Sequence, residues 1–170
     1  MTDEDTNQQA PEQNAGDAKV PDAGERYRRA AGAGVRALAG KDSAVFALGG
    51  AEHARAVAEG VLLGAYAFQT FLGEGKSSSA KAPLKAAQVH VRGRHKEDIA
   101  GQAGVVADAV RYARDLVNTP PNVLYPESFA HSVTKRAAGS KVKLEVWDVD
   151  KLQAEGCGGI LGVGQGSGRP

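Results

Sequence analysis

Four histidines, one cysteine and a glycine-rich stretch near the C-terminus are the places where this sequence could do chemistry. A metalloprotease helix needs two histidines one turn apart with a glutamate beside the first, so that both imidazoles reach one zinc. None of His53, His90, His95 and His131 has a second histidine or a carboxylate at that spacing. His90 falls on the polar side of a predicted strand, and His53, His95 and His131 read as surface or helix-end residues. Ser132 follows His131, but adjacent helical positions point about 100° apart and do not form a nucleophile and base pair. Cys157 sits between glycines in a predicted helix-to-strand turn, with nothing placed to lower its pKa, and reads as a small packing residue. The run GILGVGQGSGR fails as a dinucleotide fingerprint, because the third glycine would fall on Ser167 or Arg169. It fails as a P-loop for want of a lysine. No residue is assigned a catalytic, cofactor-binding or metal-ligand role.

The elements that would position such residues are easier to read. Tyr27, Ala31, Val35 and Leu38 share one helical face over 25–38, and Gly40 stops that helix. Ser43–Leu48 is short, apolar and partly β-branched, a buried strand. Ala54, Ala58, Val61, Ala65, Phe68 and Leu72 predict an amphipathic helix over 51–72. Residues 73–82 are a polar loop. Over 86–92, Ala87, Val89 and Val91 alternate with Gln88, His90 and Arg92, the period of a strand. Ile99, Ala103, Val106, Val110, Ala113 and Val117 form one stripe of a long helix over 96–118, which must end where Thr119 precedes Pro120-Pro121. Pro126 opens a further helix that Gly139 closes. Lys141–Trp147 (KVKLEVW) alternates as a strand, Asp148 or Asp150 caps a short helix to Glu155, and Gly158–Val163 is a last apolar strand. Alternating strands and helices give an α/β class with parallel pairing.

Charge divides the chain unevenly. Residues 1–25 carry seven acids and one base, a net of −6, whereas the remainder carries 20 bases and 13 acids, a net of +7. The first 24 residues lack aromatics and read as a disordered acidic tail, unable to bury enough apolar surface to offset the entropy of ordering. The bases of the remainder are scattered without interleaved aromatics, which favours a solvated face over nucleic acid. A single cysteine excludes an internal disulfide and a cysteine-based zinc site. No apolar run reaches the roughly 18 residues of a membrane span, and the N-terminus has no secretory h-region, so a cytoplasmic location is expected.

Two segments are familiar as wholes: YARDLVNTPPNVLYPESFA (Tyr112–Ala130) and GCGGILGVGQGSGRP (Gly156–Pro170). With RYRRAAGAGVRALAG (Arg26–Gly40) and AVAEGVLLGAYAF (Ala56–Phe68), they closely resemble the leucyl aminopeptidases, the cytosol aminopeptidase family of two-metal exopeptidases. The likeness runs in register from about Arg26 to Pro170. It implies a partial macro-like N-terminal α/β domain over 25–95, a linker helix over 96–118 and the first α/β elements of the catalytic domain over 119–170. It also implies removal of N-terminal amino acids from peptides by a hydroxide bridging two divalent ions, such as manganese or zinc, in a homo-hexamer.

The family's ligand motifs, of the form G-K-G-x-x-F-D-S-G-G and N-T-D-A-E-G-R, do not occur in these 170 residues. The resemblance places them downstream of Gly156–Pro170, so no ligand is carried over to any residue. The expectation is therefore an internal third of an aminopeptidase, with no metal bound and no turnover by itself. A second reading is a non-catalytic interaction module that reuses the N-terminal domain, with nucleic acid as one partner, supported by the +7 remainder. Tyr125 stands where the family often has a side chain able to cap the following helix, a change that costs about 1 kcal/mol on the usual scale.

Overall fold

The computed structural model describes residues 22–73, 81–93 and 98–169. Helix α1 (Ala23–Ala37) starts on Asp22, whose carboxylate accepts from the Glu25 N–H at 2.8 Å. Strand β1 (Ser43–Phe46) follows, then a single 3-10 turn over Ala51–His53 that leads into α2 (Ala54–Gly64). Strand β2 (Ala86–Val89) pairs with β1 in parallel, from Ser43 opposite Ala86 to Phe46 opposite Val89. The long helix α3 (Ile99–Asn118) is capped by Asp98, which accepts from the Gly101 N–H at 2.8 Å. Three shorter helices complete the chain: α4 (Pro126–Ala137), α5 (Val149–Ala154) and α6 (Gly158–Gly164).

The core lies where α1, α2 and the sheet meet. Ala31 and Val35 of α1 pack against Val57 and Val61 of α2, with Phe46 and Leu84 closing the cluster. The two helices approach closely because their contact is built from glycine. A Cβ on Gly60 would stand 2.2 Å from the Arg28 carbonyl oxygen, and one on Gly64 would stand 2.6 Å from the Gly32 Cα. Helix α3 lies against α2 through Ala103 and Ala107, both fully buried. Farther along its stripe Val117 is 84% exposed. The described residues of 120–169 contribute no buried side chain.

Most predicted elements are present, and five readings need correction. The strand read as buried over Ser43–Leu48 buries Phe46 but leaves Val45 64% exposed. The tail ends sooner than expected, since Ala23 and Gly24 already belong to α1. The helix predicted over 51–72 is helical only to Gly64, where the Leu62 carbonyl accepts from Arg111 and the Leu63 carbonyl is shared between Arg114 and a tight-turn bond from the Tyr66 N–H at 3.4 Å. Lys141–Trp147 forms no strand. Each of its residues is exposed, and no ladder partner lies beside it among the described residues, so alternation alone cannot hold a strand. Gly158–Val163 is helical, because the Cys157 carbonyl accepts from the N–H groups of Ile160 and Leu161, each at 3.2 Å, and local bonds replace the expected ladder. Cys157 therefore precedes a helix and not a strand. The acidic residues 1–21, most of the 73–82 loop and His95 lie outside the described residues.

Candidate functional site, a polar joint between two helices

The polar residues of the long helix gather on one face. Arg111, Arg114, Asp115 and Asn118 are spaced by three, one and three positions, which brings them to one side of the last two turns of α3. Opposite them is the C-terminal end of α2, where carbonyl oxygens lack intrahelical partners and carry the negative end of the helix dipole. Arg111 Nη2 donates to the Leu62 carbonyl at 2.6 Å, and Arg114 Nη1 donates to the Leu63 carbonyl at 3.2 Å. The Arg114 guanidinium also lies over the Tyr66 ring, 5.4 Å from its centre. α2 is thus capped in space by cations supplied from another helix.

Tyr66 completes the joint. Its hydroxyl donates to Asp115 Oδ1 at 2.8 Å and accepts from Asn118 Nδ2 at 3.1 Å. Loss of solvent around the phenol pushes its pKa up, and the hydrogen bond to Asp115 adds to this, against the opposing donation from Asn118. The Thr119 hydroxyl donates to the Asp115 main-chain carbonyl at 2.6 Å and closes α3. The Pro120 carbonyl then accepts from both Val123 and Leu124, each at 2.9 Å, and sets the turn into α4. On that helix the Ser132 and Tyr112 hydroxyls are 2.9 Å apart, so Ser132 pairs with a tyrosine and not with its neighbour His131. Ser128 Oγ accepts from the Tyr125 N–H at 2.9 Å, which compensates for a Tyr125 side chain that makes no cap bond. Arg169 returns to the same turn, donating to the Asn122 carbonyl at 3.0 Å with its guanidinium 4.6 Å from the Tyr125 ring centre.

A second polar cluster joins α1 to α2. The buried Glu59 carboxylate accepts from Arg28 Nε at 3.0 Å and Arg55 Nε at 2.9 Å. Glu25 pairs with Arg29 at 2.7 Å and with Arg28. Its hydrogen bonds from Arg29 and then Arg28 hold the Glu25 carboxyl below the usual carboxylate range. Burial opposes charge on Arg28, but the bonds to Glu25 and Glu59 outweigh it and raise the guanidinium pKa.

The histidines found by sequence stay apart. His53 stacks on Tyr27 with ring centres 4.4 Å apart, and His90 and His131 are exposed. The Cys157 thiol is free and half-buried. Among the described residues, no group of three or more His, Cys, Asp or Glu side chains converges closely enough to hold a metal ion. Asp115, Glu25 and Glu59 are already committed to hydrogen bonds with Tyr66 and with arginines. These residues do not fit a pair of divalent ions. The joint can position and brace; it brings no nucleophile to a base.

Residues 23–75 match the family model described as the cytosol aminopeptidase family, N-terminal domain. Residues 111–170 match its counterpart, the cytosol aminopeptidase family, catalytic domain. The chain belongs to the cytosol aminopeptidase family. A probable cytosol aminopeptidase of Micrococcus luteus is 47% identical over 152 residues, spanning 86% of this chain and 30% of the relative. One from Streptomyces griseus is 45% identical over 172 residues, spanning 88% of this chain and 33% of that protein. Among solved structures, the bottromycin maturation enzyme BotP superposes with a TM-score of 0.71 at 31% identity, over 86% of this chain and 32% of that one. Its complex with Mn gives 0.70 at 29% identity. The chain spans about a third of the length of the curated relatives it matches. The joint therefore lies where the two aminopeptidase matches meet: Tyr66 falls in the N-terminal match, and Asp115 and Asn118 in the catalytic one. The RDLVNTPPN run is legible in the sequence as a signature, whereas its partner Tyr66 is not. The polar spacing of 111, 114, 115 and 118 beside the apolar stripe was the available signal.

Proposed function

We propose that this chain is part of a cytosol aminopeptidase, a hydrolase that removes N-terminal residues from peptides with two divalent ions, manganese or zinc, at its centre. In this reading residues 25–95 are a macro-like domain, 96–118 a linker helix and 119–170 the start of the catalytic domain, within a cytoplasmic homo-hexamer. The observation that carries the reading is the pair of successive family matches, N-terminal then catalytic, in the order of the chain. The Mn complex of BotP supports a divalent ion in the wider group. No helix among the described residues is long and apolar enough to cross a membrane, in keeping with an enzyme met in water.

The 170-residue chain supplies the joint that sets one domain against the other, and not the metal ligands. By itself it does not turn over peptide. Hydrolysis of leucine p-nitroanilide by the purified chain, with Mn²⁺ or Zn²⁺ added, tests this directly. Metal-dependent release of nitroaniline that co-purifies with the chain would overturn the assignment of its role as scaffold. Restoration of activity when the chain is fused ahead of the ligand-bearing part of a relative's catalytic domain would support it.

A further inference from the structure

We draw no further inference here: the strongest candidate, the apolar cavity of about 570 Å³ between α2, β2 and the start of α3, lined by Val61, Leu84, Val89 and Ile99, sits in a chain that spans about a third of the length of its relatives, and nothing in the structure shows what covers it.

Discussion

The Tyr66 hydroxyl donates to the Asp115 carboxylate at 2.8 Å across 49 positions of sequence. One side of this bond belongs to the N-terminal aminopeptidase match and the other to the catalytic match. Asn118 donates to the same phenol oxygen, so one hydroxyl holds two residues of the RDLVN run at once. Tyr66→Phe and Asp115→Asn should therefore be non-additive in chemical denaturation: the double variant loses less than the sum of the singles. Strict additivity would mean that the two residues act independently.

The same phenol gives a spectroscopic readout. Its pKa is raised by loss of solvent and by the bond to Asp115, so the protonated form is favoured in the fold. The stability this contributes is complete below the ordinary tyrosine value of about 10 and is lost as the pH rises through the higher folded value. A difference absorbance titration of wild type against Tyr66→Phe should show a phenol ionising above that ordinary value. An ionisation at or below it would contradict the geometry.

Arg111 caps α2 from outside, with its guanidinium on the Leu62 carbonyl. Arg111→Met keeps the aliphatic stem and removes the donors, and should cost about 1–2 kcal/mol, from a charged hydrogen bond and its favourable place at a helix C-terminus. Thermal melts would measure it. A cost near zero would mean that water serves the carbonyl as well.

Glycines on α2 and α3 should respond in opposite directions. Gly60→Ala forces a methyl onto the Arg28 carbonyl and should cost about 2 kcal/mol or more. Gly104 of α3 has open space where its Cβ would stand, so Gly104→Ala should stabilise by about 0.5–1 kcal/mol through helix propensity. Equal effects at the two positions would refute the close contact of α1 and α2.

In acid the α1–α2 ion cluster should be visible through Glu25. Its carboxyl is held below the ordinary range by Arg29 and Arg28, so its contribution is present above about pH 4.3 and disappears as the pH falls through the depressed folded value. The stability difference between wild type and Glu25→Gln should therefore shrink on acidification. A difference independent of pH would show that the pairing is not electrostatic.

The sequence marks what is repetitive and local. Periodicity is enough for α1 and for the buried part of the α3 stripe, because Val35 and Ala103 each bury the side chain their spacing assigns to the core, whereas β1, read as a buried strand, buries Phe46 and leaves Val45 64% exposed. Thr119 before Pro120 fixes the end of α3 for a local steric reason. Strand identity is harder. KVKLEVW and GGILGV carry the right residues, but a strand exists only beside another, and that information lies in the partner. GGILGV takes the local alternative and becomes α6, while 141–147 has no such alternative and stays irregular. The joint was hidden for the same reason: Tyr66 and Asp115 are far apart in the chain and nothing local in either predicts the other.

The cap on α2 is donated from 49 and 51 residues farther along the chain. During synthesis from the N-terminus, the last turn of α2 is therefore complete long before the arginines that cover its carbonyls have left the ribosome. Until then the Leu62 carbonyl depends on water for its hydrogen bond. The cap on α2 thus closes only once Arg111 and Arg114 are in place.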